Sequence, residues 1–189
     1  MRPAAARAAA GGAFSVVVVI SGLAELSPSL ALTDFDLDVS YNPLLMSATG
    51  VSFGTGLGSP PDIAGSDLTT AGLIDLFAVS FADYATLRGL QGDAFTLATL
   101  TFLALAPGTD SLAFVQDGFF KVDMINADDQ NPVNSADSQS CQLRSCTDVG
   151  GARVVIREGN TVPEPEPLLL IAGGLLGMMF ATRRRTHSR

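Results

Sequence analysis

The chain has 189 residues, two cysteines, no tryptophan and a formal net charge of −8. Between Phe14 and Pro167, five basic residues are set against all 19 acidic residues, which gives a formal charge of −14. Such a surface repels phosphate backbones, so we expect no nucleic-acid partner. The residues before the C-terminal tail are enough for one domain with a core of its own.

The N-terminal residues fit two interpretations. Arg2 and Arg7 precede an apolar run, which is the order found in a signal peptide. However, residues 16–20 are four valines and an isoleucine, and β-branched side chains favour strands. We therefore predict that Phe14 to Ser21 is the first strand of the domain, and that residues 1–13 are a truncated or remnant export signal.

A clear alternation begins after Thr33. Apolar residues occupy positions 35, 37, 39 and 41, and polar residues occupy the positions between them: Asp34, Asp36, Asp38 and Ser40. A period of two predicts a half-buried strand with its carboxylates in water. Leu45 to Phe53 is predicted as the next strand, and the glycine-rich stretch 54–61 as a loop.

The remaining elements are predicted from alternation and from turn residues. Asp83 is a suitable N-cap for a short crossover helix, with Gly89 or Gly92 ending it. Because a turn follows Phe95 to Leu105 at residues 107–110, we predict a hairpin between that strand and the next. The further predicted strands are Gly72 to Phe81, Ser111 to Val115, Phe119 to Ile125 and Arg153 to Glu158, the last with Val154 and Ile156 facing inward.

The fold class follows from this series of short strands. About seven to nine strands, one short helix and no βαβ rhythm predict an all-β, antiparallel two-sheet sandwich. The segments Phe14 to Leu23, Phe35 to Pro43 and Phe95 to Phe102 resemble those of cohesin-like domains. The resemblance implies a jelly-roll domain over residues 14–158, related to some carbohydrate-binding modules.

The residues that could carry chemistry are few. The only histidine, His187, follows the terminal arginine cluster, on the far side of the membrane from the domain. The carboxylates of Asp34, Asp36 and Asp38 are best explained as a solvated strand face. The acidic stretch 126–131 lacks the spacing of a calcium loop, so a solvated polar loop is favoured. We predict no catalytic residue, no metal and no cofactor.

Cys141 and Cys146 are the only cysteines, and four residues separate them. A loop can close that separation into a disulfide in an oxidising exterior. A metal pair or a redox thiol would need further ligands or a basic setting, for which Arg144 alone is thin support. We favour a structural disulfide.

The tail has three parts in a fixed order. Residues 159–167 contain Pro163, Pro165 and Pro167, which makes them an extended linker. Residues 168–182 are uncharged and are predicted as a transmembrane helix of roughly 22 Å, short against a hydrocarbon core of about 30 Å. Arg183, Arg184 and Arg185 then hold residues 183–189 in the cytoplasm.

This order resembles the PEP-CTERM sorting signal of exported proteins in Gram-negative bacteria. The matching motif is Val162, Pro163, Glu164 and Pro165, followed by the short helix and the arginines. The resemblance implies processing by exosortase, a membrane protease that is thought to cleave near this motif. An ordinary single-span anchor behind a proline-rich linker is the alternative.

The sequence therefore predicts a non-enzymatic exported protein. Its precursor is anchored in the inner membrane by the C-terminal helix, and the product belongs to the cell surface or an extracellular matrix. The alternative is a carbohydrate-binding or protein-partner-binding module that stays anchored. The expected partners are an exosortase-type protease and an extracellular polysaccharide or a protein.

Overall fold

Strands dominate the structure, a computed structural model that describes residues 5–23, 30–115, 121–126 and 150–159. The helix α1 spans Tyr84–Leu90. The strands are β1 (Ala5–Ala9), β2 (Ala13–Ser21), β3 (Leu30–Ser40), β4 (Met46–Phe53), β5 (Ile63–Asp67), β6 (Leu73–Val79), β7 (Ala94–Ala104), β8 (Gly108–Val115), β9 (Lys121–Asn126) and β10 (Ala152–Arg157).

The strands form two sheets. One is seven-stranded, in the order β1-β10-β8-β3-β6-β5 with β9 also paired to β3, and the other is three-stranded, in the order β2-β7-β4. Strands β1 and β10 are parallel, whereas the other strand pairs are antiparallel. The predicted antiparallel two-sheet sandwich with one short helix is confirmed. The predicted linker and C-terminal helix lie outside the described residues.

The core lies on the inward faces of the two sheets, where the sequence alternation places it. Phe35, Leu37 and Val39 of β3 are all at most 3% exposed. Phe102 of β7 is fully buried, with Phe14 stacked on it at 5.3 Å and Tyr41 edge-on at 5.5 Å between ring centroids. Burying each such side chain is worth about 1.5–3 kcal/mol.

Two strands were not predicted from the sequence. Strand β1 lies within residues 1–13, which the sequence analysis assigned to an export signal, and it pairs with β10 in the sheet. Its alanine-rich sequence has little intrinsic strand preference, so the pairing must come from tertiary contacts. Strand β5 is an edge strand paired only to β6 among the described strands, and four of its five residues are exposed. The sequence of β1, four alanines and one arginine, and that of β5 thus lack the apolar–polar pattern on which the predictions relied.

The predicted hairpin between β7 and β8 is wrong. Strand β7 belongs to the three-stranded sheet, whereas β8 pairs with β10 and β3 in the other sheet. After β7 the backbone N–H groups of Leu105 and Ala106 donate to the carbonyl of Leu45, at 2.8 and 3.3 Å. The chain thus crosses from one sheet to the other at this turn.

Helix α1 forms where a crossover helix between strands was predicted. The Asp83 side chain caps its start by accepting a 2.8 Å hydrogen bond from the Thr86 N–H. The C-cap is Gln91 and not a glycine, and its N–H donates to the Leu87 carbonyl at 2.9 Å. The helix connects β6 of the seven-stranded sheet with β7 of the three-stranded sheet.

Candidate functional site

Three adjacent strands of the seven-stranded sheet place their outward residues in register. Strand β6 pairs with β3 on one side and with β5 on the other, and residues directly opposite each other lie on the same face. The outer face therefore has three rows: Asp34, Val79 and Ile63; Asp36, Phe77 and Gly65; Asp38, Asp75 and Asp67.

The centre of this face is apolar and exposed. Phe77 is 38% exposed and Ile63 is 48% exposed. The Phe77 ring lies over Gly65, because a Cβ built on Gly65 would come within 2.8 Å of the ring carbon Cε1. Glycine at this position thus lets the ring lie across the neighbouring strand and present its other side to solvent.

The third row, Asp38, Asp75 and Asp67, is acidic across all three strands, and we call it the acidic row. Asp75 is exposed and lies opposite both other carboxylates. The Thr69 backbone N–H donates to Asp67 at 2.7 Å, and together with the Thr69 hydroxyl it lowers the pKa of the Asp67 carboxyl. Since like charges directly opposite each other in a sheet are destabilising, packing does not explain this row.

The aspartates of β3 occupy the outer face that the alternation predicted. Asp34, Asp36 and Asp38 are half-buried, and each has an interaction partner, so they are not isolated carboxylates. Within the described residues, no group of three His, Cys, Asp or Glu side chains comes close enough together to hold a metal ion. The acidic row is thus spread across the sheet and does not converge on one point.

The tyrosines do not form an exposed aromatic platform of the kind that often binds sugars. Tyr41 is 8% exposed, and its hydroxyl accepts a hydrogen bond from the Ala48 N–H at 3.4 Å. Tyr84 is half-buried in α1. A depression lined by Phe35, Phe53 and Phe95, among others, is not a ligand pocket, because it encloses no room even for a water molecule.

The solved structures to which this chain is similar in fold include cohesins. The seventh ScaB type I cohesin of Pseudobacteroides cellulosolvens has a TM-score of 0.58 and 15% identity, with 86% of this chain and 93% of that chain covered. The sixth cohesin of scaffoldin B from Acetivibrio cellulolyticus, solved in complex with a Cel5 dockerin mutant, has a TM-score of 0.56 and 14% identity, covering 82% and 95%. A non-cellulosomal cohesin from Archaeoglobus fulgidus has a TM-score of 0.51 and 15% identity, covering 82% and 86%. The fold is cohesin-like.

The C-terminal residues match a known motif. A family profile described as the PEP-CTERM protein-sorting motif matches residues 161–185. The chain therefore carries a PEP-CTERM sorting motif behind a cohesin-like fold, as the sequence resemblance implied. No curated protein matches the chain in sequence.

The other sequence-predicted sites lie outside the described residues. These are the PEP-CTERM residues Val162, Pro163, Glu164 and Pro165, the arginines Arg183, Arg184 and Arg185, and the cysteines Cys141 and Cys146. His187, which was not predicted to act in a site, also lies outside them. The disulfide between the cysteines stays a prediction. Of the polar stretch 126–131, only Asn126 is described, at the end of β9. Among the described residues, no helix combines the length and the apolar character that crossing a bilayer requires.

The sequence did not reveal the acidic row or the exposed ring of Phe77. Both depend on the pairing of β6 with β5, and β5 has no alternation by which to recognise it. The only sequence signal was the alternation of Asp75 and Phe77 with buried residues along β6.

Proposed function

We propose that this chain is an exported, non-catalytic binding protein. Its cohesin-like domain binds a protein partner through the outer face of β3, β6 and β5, and an exosortase-type membrane protease processes its PEP-CTERM motif. The binding role rests on one observation, the exposed ring of Phe77. The acidic row lies next to this ring, two residues along the strands on the same face.

Physical chemistry favours a protein partner at this face. Exposed aromatic side chains at the centre of a surface patch are the usual anchors of protein interfaces, and charges around them select the partner and steer its approach. Phe77 and Ile63 supply the anchors, and the acidic row supplies one sign of charge. The partner that fits is a protein surface with an apolar centre and lysine or arginine beside it.

The structural relatives support a binding role. The cohesin OlpA of Clostridium thermocellum was solved as a cohesin–dockerin complex, with a TM-score of 0.54 and 12% identity to this chain. A cohesin of Acetivibrio cellulolyticus was likewise solved with a dockerin. By analogy, a protein partner is the first candidate for this domain, whereas a sugar ligand has no aromatic platform at Tyr41 or Tyr84.

Site-specific crosslinking tests the proposed face. A photoreactive phenylalanine analogue replaces Phe77 in the full chain in its native host, and a matched variant carries it at Val17, which is 50% exposed on the three-stranded sheet. We expect one defined protein adduct from position 77 and none from position 17.

Binding measurements with that purified protein are the second test. Phe77→Ser should weaken binding at least about tenfold, as loss of a hot-spot side chain does, and Val17→Ser should not. Equal effects of the two variants would contradict the proposed face.

The sorting half of the proposal rests on the motif match at residues 161–185. In the sorting pathway that this motif implies, the precursor is held in the inner membrane until the protease cuts near Pro163, Glu164 and Pro165, and the product then reaches the cell surface or an extracellular matrix. The stretch before residue 168 is rich in proline, which lacks the backbone N–H that helices and sheets need, and this composition suits a site that a protease recognises.

Intact mass in separated host fractions tests the processing. We expect a mature species ending between Pro163 and Pro167 outside the inner membrane. The triple variant Pro163→Ala/Glu164→Ala/Pro165→Ala should instead accumulate at full length in the membrane. Wild-type protein that is found in the inner membrane with Arg189 still present would favour an ordinary single-span anchor over the sorting signal.

A further inference from the structure

Three exposed arginines lie on the outer face at the β1 end of the seven-stranded sheet. Arg153 and Arg157 project from β10, and Arg7 projects from β1. In the parallel register Arg7 lies opposite Val155, midway between the two arginines of β10. At about 3.3 Å per residue, the three cover about 13 Å along the strands. We call them the arginine strip.

The alternation of β10 and β1 fixes this orientation. Val154 and Ile156 are buried in the core, and Ala6 and Ala8 of β1 pack against it. The arginines occupy alternate positions on the same two strands, so they must face outward. Substituting them therefore leaves the core contacts of both strands unchanged.

Among the described residues, the arginine strip has no partner. None of Arg7, Arg153 and Arg157 makes an ion pair or a side-chain hydrogen bond in the described structure, although the domain has an excess of carboxylates. The outward aspartates whose side chains the structure describes lie on β3, β6 and β5, and β8 separates β10 from β3. The outward residues of β8 next to the strip are the uncharged Thr109 and Ser111. Glu158, exposed directly after Arg157, is the nearest acidic residue in sequence.

The domain as a whole is acidic, but the arginine strip is a local basic patch away from the aspartates of β3, β6 and β5, and we propose that it binds a linear anionic polymer that carries carboxylate or sulfate groups along its length. Guanidinium groups bind such oxyanions through paired hydrogen bonds. A strip of about 13 Å is too long for one small anion but suits repeated charges along an extended chain. The strip is also remote from Phe77 in the strand order, so this site is independent of the proposed protein-binding face.

Affinity electrophoresis of the purified full chain tests the proposal. The gels contain polygalacturonate, dextran sulfate or neutral dextran. We expect the anionic polymers to retard the protein and neutral dextran to leave it unaffected, with retardation falling as salt is added because salt screens ion pairs. Each exposed pair contributes up to about fivefold in affinity, so the loss of two pairs in Arg153→Gln/Arg157→Gln should weaken binding by up to about 25-fold.

Two control variants make the test specific. Because the terminal arginines could also attract a polyanion, Arg183→Gln/Arg184→Gln/Arg185→Gln must keep most of the affinity. Phe77→Ser must leave polymer binding unchanged, so failure of the protein-binding face and failure of the strip can be told apart. If the double variant on β10 unfolds by circular dichroism, Arg7→Gln on the neighbouring strand replaces it.

Three results would overturn the proposal. The first is retardation that is absent, or equal for wild type and the strip variants. The second is binding to phosphatidylglycerol vesicles without binding to either polymer, which would assign the strip to a lipid surface. The third is self-association of the protein in sedimentation experiments, if both Arg153→Gln/Arg157→Gln and Asp38→Asn/Asp75→Asn abolish it. That result would show that the arginine strip binds the acidic row of a second copy of the chain.

Discussion

Gln91 forms a two-way hydrogen-bonded pair with the backbone of Leu32. The Leu32 N–H donates to the Gln91 Oε1 at 2.8 Å, and the Gln91 Nε2 donates back to the Leu32 carbonyl at 2.7 Å. The same Nε2 also donates to the Gly56 carbonyl at 3.0 Å. One side chain at the end of α1 thus joins β3 to the loop after β4, and it is only 4% exposed.

Replacing Gln91 should therefore be costly. Gln91→Ala leaves the buried N–H and carbonyl of Leu32 without partners, and each such group costs about 1–3 kcal/mol. We expect the free energy of unfolding to fall by about 3 kcal/mol, measured by urea denaturation with circular dichroism. Leu90→Ala, at a neighbouring position that is 47% exposed, is the control and should change stability by less than about 1 kcal/mol. Equal losses for both variants would mean that the Gln91 hydrogen bonds contribute little.

Gly54 marks a close approach between the end of β4 and the start of β7. Its N–H donates to the Leu97 carbonyl at 2.8 Å, and a Cβ at this position would overlap the Thr96 carbonyl oxygen. Because backbone cannot move aside as a side chain can, Gly54→Ala should destabilise the domain by about 3 kcal/mol.

Gly50 provides the matched control for Gly54→Ala. A Cβ at Gly50 meets nothing within 4 Å, so Gly50→Ala should be neutral, or stabilising by up to about 1 kcal/mol, because it reduces the freedom of the unfolded chain. Thermal melts of the two variants side by side make the comparison. A similar loss at both positions would argue against the close approach.

The acidic row should reduce stability. Asp75 lies opposite Asp38 and Asp67, and cross-strand pairs contribute roughly 0.2–1 kcal/mol each. Asp75→Thr removes the repulsion and adds a good strand former, so we expect a gain of about 0.5–1 kcal/mol at low salt. Added salt should shrink the gain in urea melts, since screening already weakens the repulsion in the wild type. A loss of stability in Asp75→Thr would mean that the row stabilises the sheet.

The cap of α1 should respond to acid. The hydrogen bonds from the Thr86 N–H and hydroxyl lower the pKa of the Asp83 carboxyl below 3.8. Because the folded pKa is the lower one, the contribution of the ionised cap is present above pH 3.8 and is lost as the pH falls through the folded pKa. The melting temperature of Asp83→Ala should therefore lie below that of wild type at neutral pH, and the two should converge in acid. Asp83→Asn keeps the capping oxygen, so it should stay closer to wild type than Asp83→Ala does at neutral pH.

The sequence predicted the strands whose side chains alternate. In β3 the burial of Phe35, Leu37 and Val39 between outward aspartates follows directly from a period of two. Strand β2 was predicted against a competing signal-peptide interpretation, because its valines are β-branched. The sequence of each of these strands is enough to predict it, since one face of a strand must be buried in any sandwich.

What the sequence could not predict depends on pairing between distant segments. The turn after Ala104 has the composition of a hairpin turn, but it connects two different sheets. The acidic row exists only because Asp38, Asp75 and Asp67 fall in register, and nothing local to these residues specifies that register. The candidate site was thus recognisable only as single outward aspartates.

The pairing of β1 with β10 has a consequence for when the domain can finish folding. The three-stranded sheet is complete once residue 104 is available, because β7 is its last strand. In the other sheet, β1 has β10 as its only strand partner among the described strands, and that strand begins at Ala152. Bringing β1 and β10 together closes a long loop, and this step is slow because it costs chain entropy. Among the described strands, the first in the chain therefore pairs only when the last is available, so the seven-stranded sheet can be completed only after residues up to Arg157 have been synthesised.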